Sequence, residues 1–365
     1  MKILYIGRYN PEEDLTGPEK VAKRIFFLSS KENETAFLEY FFDGSVYGMF
    51  KKLFGKEVIE TDPGVKVYRL GLIRMLPFFF KFHPQIIHII TFERFSAIAL
   101  LYNFFSKVKM VYNVHGIAVY ENEYLKNVPS SLKFKDCFCE KLFMKHSDKL
   151  LFLSEYQLRI AKKYYYIDSR KIEFINNGVD EEFYSTNKPN YRNEIPSLIF
   201  IGDSERKDKD FHFLYSTLDK VRKKCNLYVI GNFNKEIYKT KVGNVNIVPV
   251  ERMPKEALVK FLSGKDIFIS SSFYDTFSVA AAECMTMGLA PIVTDHTGIS
   301  KLLITNENGF VIKYGNNDEL AEKINFLLEN ANLRNDMREK AKQIYDTLNW
   351  SKVYSSYQNI YNTLG

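Results

Sequence analysis

The sequence predicts an α/β fold made of two successive units, each a mostly parallel sheet covered by helices. Three observations lead there. Short apolar runs alternate with longer stretches of helical period, the signature of strand–helix–strand units. That alternation occurs twice, in two series separated by a break at Asn176-Asn177-Gly178 and a polar stretch, 185–196, holding two prolines. The length, 365 residues, also exceeds that of one ordinary compact domain. Each series supplies five or six strands, so two Rossmann-like domains are expected. Open parallel sheets bind ligands at the carboxyl ends of their strands, so a site is expected in a cleft where the two domains face each other.

In the first series the short apolar runs 2–6, 65–70, 86–90, 110–114, 150–153 and 171–175 read as strands, with helical patterns at 19–29 and 132–146 between them. In the second, 197–201, 226–230, 244–248, 266–270, 290–294 and 309–312 read as strands, with helices expected at 211–224, 254–263, 278–287 and 317–329. The expected division is 1–180 for the first domain, 181–345 for the second, and 346–365 for a closing helix.

Hydrophobic residues at 46% and charged residues at 26% exclude a disordered, collagen-like or coiled-coil chain. None of the cysteines Cys137, Cys139, Cys225 and Cys284 forms a C-x2-C pair, so free thiols in a reducing cytoplasm are expected. The start MKILYIGRYN lacks a signal-peptide core, and the longest apolar runs fall short of the ~20 residues of a membrane span. A cytoplasmic protein, soluble or peripheral, is the expectation. The net charge of +7 sits mainly in the first half, where residues 1–180 hold 27 Lys and Arg against 21 Asp and Glu. Segment 49–82 interleaves seven basic and three acidic residues with many Phe, as interfacial membrane segments do. A core-facing helix with solvated lysines would read the same way, so an anionic membrane surface at the inner face is one of two expectations there.

The most informative segment runs from Ser270 to Val293. A strand ends at Ser270 and a loop carries Asp275. A helix is then expected to open with Thr276, Phe277, Ser278 and Val279 at its first turn, whose free N–H groups suit an anion. Glu283 follows on an otherwise apolar helix, where a carboxylate needs a partner such as a ligand hydroxyl. No H-E-x-x-H, zinc-spaced Cys/His cluster, P-loop or G-x-G-x-x-G is present, so no metal or cofactor is expected. Asp208-Lys209-Asp210 spells D-x-D in a charged loop, where carboxylates are ordinarily solvated.

Asp275-x7-Glu283, with Gly288 and Pro291 beyond it, resembles the E-x7-E signature of retaining glycosyltransferase family 4, with Asp-Thr-Phe-Ser standing for Glu-Gly-Phe-Gly. Four further pieces in the same order support the resemblance: His83-Pro84-Gln85-Ile86-Ile87-His88, Tyr112-Asn113-Val114-His115-Gly116, Ile175-Asn176-Asn177-Gly178-Val179-Asp180, and Trp350 with Tyr361. The resemblance spans nearly the whole chain. It implies the GT-B fold, with the closing helix crossing back to the first domain. It further implies transfer of a sugar from a UDP- or GDP-linked donor to a hydroxyl of a glycan or lipid-linked saccharide, with retention of configuration and no nucleic-acid partner.

Carried over by position, the resemblance places Gly17 where backbone approaches a ligand and His115 at a strand end facing the transferred sugar. Lys209 would lie on the donor diphosphate, Asp275 on the sugar and Glu283 on the ribose hydroxyls. The family's R-x5-K-G segment aligns with Asp203 to Asp210, so Asp203 stands for Arg and Asp210 for Gly. Arg206 is the expected substitute cation. Asp275 is also a good helix cap, and the residues leave capping and sugar contact both open. Two other readings remain: a non-catalytic partner subunit that keeps the fold, motivated by Asp203 and Asp275, and a nucleotide-sugar 2-epimerase.

Overall fold

The computed structural model describes residues 1–9, 17–41, 48–62, 65–124, 129–184 and 195–365. Most of the polar stretch 185–196 therefore lies outside the described residues. The chain divides into two compact units, Met1–Ile175 with Val353–Gly365, and Asn176–Lys352.

In chain order the first unit holds β1 (Lys2–Ile6), α1 (Gly17–Ser30), β2 (Glu34–Tyr40), α2 (Gly48–Phe54), β3 (Lys56–Asp62), β4 (Val65–Leu70), α3 (Leu72–Phe82) and β5 (Ile86–Ile89). It continues with α4 (Ile98–Ser106), β6 (Lys109–Val114), α5 (Ala118–Tyr124), α6 (Ser130–His146), β7 (Lys149–Phe152), α7 (Glu155–Tyr164) and β8 (Ile172–Phe174). The eight strands form one sheet in the order β3-β4-β2-β1-β5-β6-β7-β8. All pairs are parallel except β3 with β4. The central strands read as continuous apolar runs because both faces are covered; Ile3, Leu4, Tyr5, Ile6, Ile86 and Ile87 are wholly buried.

The second unit holds β9 (Ser197–Ile201), α8 (Phe211–Tyr215), β10 (Cys225–Ile230), β11 (Lys241–Val242), β12 (Val245–Val250), α9 (Lys255–Leu262), β13 (Ile267–Ser270), α10 (Val279–Thr286) and β14 (Ala290–Thr294). β15 (Phe310–Ile312), α11 (Asn317–Glu329), α12 (Ala331–Lys342) and α13 (Tyr345–Leu348) complete it, and α14 (Trp350–Asn362) follows. Its sheet runs β11-β12-β10-β9-β13-β14-β15, parallel apart from the short β11. Asp266 is buried at the foot of β13, where it accepts from the Ser197 N–H and hydroxyl and pairs with Arg338 of α12 at 3.1 Å.

Two departures from the expected elements have local causes. The helix expected at 211–224 stops at Tyr215, because the Ser216 and Thr217 hydroxyls both bond back to the Phe213 carbonyl (3.0 and 2.9 Å) and compete with the helical ladder. The helix expected from 278 starts at Val279, because Ser278 holds a left-handed backbone with φ 73°.

Several of the recurring motifs turn out to serve the fold. Asn113 donates to the Tyr357 hydroxyl (2.8 Å), so its oxygen accepts from His88 Nε2 (3.0 Å), and His88 Nδ1 accepts from the Tyr361 hydroxyl (2.8 Å). Tyr361 in turn meets the Tyr5 hydroxyl at 3.1 Å. This chain of bonds fastens the end of α14 to β1, β5 and β6. Burial pushes the His88 pKa down to about 3, so the ring is neutral. In the second unit, Gly178 leaves room for the Trp350 ring, which would lie 2.4 Å from a Cβ there, and Asp180 accepts the indole N–H at 2.8 Å.

Candidate active site

In the first unit, the carboxyl ends of β1, β5 and β6 open on a cavity of about 630 Å³. His115, one residue past β6, lines it. Burial lowers its pKa to about 4, partly offset by a bond to the Ile90 carbonyl, so the ring is neutral at pH 7. Nε2 is buried without a hydrogen-bond partner. The Ile90 bond therefore uses Nδ1 as donor and leaves Nε2 as an acceptor for a hydroxyl. Beside it, the Glu121 carboxylate packs over Gly116, 1.8 Å from where a Cβ would stand, so a larger residue there would push that side chain aside. Arg8 pairs with Glu93 at 2.9 Å, and Arg94 holds Asp136 with two hydrogen bonds. Glu140 accepts the Ala118 N–H on both oxygens (3.0 and 2.9 Å) and the Tyr165 hydroxyl (2.6 Å). Burial raises its pKa to about 7. Gly17 is the first residue of α1, and its neighbours Pro18 and Glu19, not Gly17 itself, line the cavity.

In the second unit the loops after β9, β10, β12 and β13 gather three cations. Asp203 ties three of these loops together. Its Oδ1 accepts the Asn232 N–H at 2.9 Å, and its Oδ2 pairs with Arg252 at 2.8 Å. Burial opposes the charge of Asp203, but these partners outweigh it and leave the pKa lowered. Gly231, with φ 141°, is the close-approach position here, since Asp203 Oδ1 would lie 2.8 Å from its Cβ. Arg252 lies two residues past β12 and was not singled out in the sequence; a basic residue at the carboxyl end of a parallel strand is the signal that could have found it. Arg206, the expected substitute cation, is held by Asp208, with Nε to Oδ1 at 3.0 Å. Lys209 Nζ meets Asp275 Oδ2 at 2.5 Å.

Asp275 is held on both oxygens. Oδ1 accepts the N–H groups of Ser278 (2.7 Å) and Phe277 (3.3 Å). This corrects the expectation for the start of α10: the N–H groups of Phe277 and Ser278 serve the chain's own carboxylate and are not open to an external anion. Thr276 lies in the same turn, its carbonyl 1.9 Å from where a Gly298 Cβ would be, so that glycine is needed for the approach of the 295–299 loop. Val279 is the first helical residue, and Glu283 sits buried one turn further along α10. The carboxylates of Asp208-Lys209-Asp210, expected to be solvated, are both engaged. Asp208 serves Arg206, while Asp210 caps α8 through the Phe213 N–H (3.1 Å) and accepts the Tyr314 hydroxyl. Among the described residues no group of three His, Cys, Asp or Glu is placed to hold a metal ion.

The two units, each with charged loops at the carboxyl ends of a parallel sheet, define a protein of the two-Rossmann, GT-B type. The Glycosyltransferase Family 4 model matches residues 53–183 and the Glycosyl transferases group 1 model residues 185–344, together most of the chain. The chain belongs to the group 1 glycosyltransferases of the family 4 type. An uncharacterized glycosyltransferase of Methanocaldococcus jannaschii is 25% identical over 84% of this chain and 82% of its own length. A capsular polysaccharide biosynthesis glycosyltransferase of Staphylococcus aureus is 22% identical over 54% of this chain and 52% of its own. Among solved structures, sucrose-phosphate synthase of Thermosynechococcus elongatus superposes with a TM-score of 0.75 at 15% identity, covering 99% of this chain and 98% of that one. Anabaena HepE in complex with UDP gives 0.72 at 14%, with all of both chains covered. At such identities the structural likeness establishes the fold alone.

Proposed function

We propose that this glycosyltransferase takes its sugar from a nucleoside-diphosphate donor, UDP- or GDP-linked, and passes it with retention to a hydroxyl of a glycan or lipid-linked saccharide. The observation that carries the reading is the Lys209–Asp275 pair in the loops after β9 and β13, with seven residues between Asp275 and the buried Glu283. Lys209 neutralises charge developing on the leaving diphosphate. Arg252, held by Asp203, supplies the second cation that the family places at position 203, with Arg206 beside it. Asp275 orients the transferred sugar, and Glu283 accepts the ribose hydroxyls. His115 Nε2 accepts a hydroxyl of the transferred sugar. The acceptor hydroxyl attacks on the leaving-group face and gives its proton to the departing phosphate, so no protein base is required.

The cavity beside His115 carries Glu19, Glu93, Glu121 and Asp136 against Arg8 and Arg94, which favours a polyhydroxyl acceptor without acidic groups near the attacking hydroxyl. The reading includes a cytoplasmic place at an anionic membrane face, where lipid-linked acceptors are found. Exposed Phe50, Ile73 and Phe80 near Lys51 and Lys81 support it. Among the described residues no helix is long and apolar enough to cross a membrane.

One observation favours a second reading, a non-catalytic partner subunit. Arg252, Arg206 and Lys209 each already carry a carboxylate, so a diphosphate must displace a partner to be gripped. Incubating the protein with a panel of UDP- and GDP-sugars and an oligosaccharide acceptor, and reading released nucleotide, separates the two. Release that is abolished in Lys209→Ala supports the enzyme. No release and no nucleotide binding across the panel overturns it in favour of the partner subunit.

A further inference from the structure

The first unit carries a second concavity that shares no lining residue with the one beside His115. It is a groove of about 710 Å³ between α3 and the β3–β4 edge of the sheet. Helical spacing makes one wall: Ile73, Arg74, Pro77, Phe78, Lys81 and Phe82 share a face of α3, while Met75 and Phe79 point the other way and are wholly buried. Strand alternation makes the other wall. Lys56 lies opposite Leu70, and Tyr68 two residues along β4 faces the same side, whereas Glu57 turns to the far face and pairs with Arg69 at 3.5 Å. The rings of Tyr68, Phe78 and Phe82 run in series along the groove, with centroids 4.6 and 5.9 Å apart. Phe54 of α2 closes one end, and its carbonyl accepts from Arg74 Nε.

The charges around this apolar trough are one-sided. Lys2, Lys56, Arg74 and Lys81 line it, with Glu34 as the single carboxylate. Glu34 is taken by Lys2 at 2.8 Å, and the Lys2 ammonium also lies 5.0 Å from the Phe82 ring centre. Lys56, Arg74 and Lys81 have no carboxylate partner among the described residues. An inorganic anion would leave the aromatic wall unused, and an apolar peptide would leave the three cations unused. An amphiphile with a phosphate head and a hydrocarbon chain uses both. The rim points the same way: Ile73 is 53% and Phe80 44% exposed.

We propose that this groove is a binding site for one anionic membrane phospholipid, its acyl chain along Tyr68, Phe78 and Phe82 and its phosphate among Lys56, Arg74 and Lys81. The proposal deepens the peripheral-membrane reading and rests on it. Attachment would then be more than diffuse charge attraction, because a shaped site recognises the head and one chain together.

The test uses the full chain and two probes. One is dihexanoyl phosphatidylglycerol below its micellar concentration, followed by calorimetry; the other is sedimentation with vesicles of phosphatidylcholine with and without phosphatidylglycerol. The wild type is expected to bind the short lipid one to one and to sediment with the anionic vesicles only. Arg74→Glu with Lys81→Glu is expected to abolish short-lipid binding and to weaken vesicle binding by about tenfold or more. Lys56→Glu on the strand wall provides an independent check. Phe50→Ser, outside the groove, is expected to keep short-lipid binding. If the wild type sediments with anionic vesicles but does not bind the short lipid, or if the charge-reversed variants bind it equally, the groove is overturned and surface attachment stands. If the wild type ignores both probes, both ideas fall.

Discussion

Replacing Asp275 with Asn separates the two things its carboxylate does. Oδ1 accepts from Ser278 and Phe277, and an amide oxygen can keep both bonds; Oδ2 meets Lys209 at 2.5 Å, and the amide cannot replace that charge. The side chains of Lys209 and Asp275 are 18% and 13% exposed, between a surface pair worth ~0–1 kcal/mol and a buried one whose breaking costs ~3–5 kcal/mol. A loss of about 2 kcal/mol is expected, which for a unit of this size lowers Tm by roughly 4–8 °C. Burial alone would raise the Asp275 pKa, but Lys209 and the two N–H bonds outweigh it and the pKa is lowered. Its stabilisation is therefore complete above the unfolded value near 4 and lost as pH falls through the lower folded value, and Asn removes that acid-side loss. Nucleotide binding should move the other way. With one negative charge gone and Lys209 released, UDP or GDP should bind about tenfold tighter, roughly 1.4 kcal/mol. Turnover should nonetheless fall about 10²-fold, because the sugar loses its charged partner. Calorimetry on the folded variant and a nucleotide-release assay read all three. Full turnover with unchanged affinity would refute both the sugar contact and the competition for Lys209.

Arg252→Ala should weaken nucleotide binding by about 10-fold or more, the worth of a charged hydrogen bond. The swapped pair Asp203→Arg with Arg252→Asp should recover much of it by returning a cation to position 203; equal affinity in wild type and Arg252→Ala would remove Arg252 from the site. Glu140 has a folded pKa raised to about 7 by burial, so it keeps its proton in the folded chain after the unfolded chain has released it. Stability should fall by roughly 3 kcal/mol between about pH 4.5 and pH 7 and then level off, and Glu140→Gln should flatten that slope in denaturant titrations. Ser278→Gly should hold or slightly raise Tm, whereas Ser278→Val, β-branched at φ 73°, should cost about 1–3 kcal/mol; matching melts for the two variants would contradict the strain argument.

Which parts of the structure could be read in advance follows from what each residue had to satisfy. Strands buried on both faces, such as β1, β9 and β14, announce themselves as apolar runs. β2 does not, because Glu39 interrupts it; that carboxylate is buried only because Arg69 (2.8 Å) and the Tyr9 N–H (2.9 Å) meet it from elsewhere in the chain. β3 was missed for the opposite reason, being an antiparallel edge strand dressed in charge. Asp275 and Glu283 were singled out from their spacing and Lys209 through the resemblance, but the pairing of Lys209 with Asp275 was not legible, since it joins residues 66 apart in the chain.

Of the three places where this chain departs from a glycine of the family pattern, Thr276 among them, two make the sharper case. Asp210 and Ser278 stand there, and both hold positive φ, 42° and 73°. The backbone conformation that favours glycine has been kept while the side chain changed, at a cost of ~1–2 kcal/mol each. At Asp210 that cost is offset by the cap on the Phe213 N–H and the bond from Tyr314. At Ser278 the N–H donates to Asp275, the same carboxylate that holds Lys209. At 278 it is thus a backbone N–H, in a left-handed conformation, that meets the Asp275 carboxylate. The Ser278 side chain also helps to hold the Asp275 carboxyl below its ordinary pKa, so the two residues are expected to act as a pair, and restoring either alone should disturb the site more than restoring both. Turnover of Asp275→Glu, Ser278→Gly and the double variant measures this directly: a double variant less active than both single ones would show the two positions to be independent of this coupling.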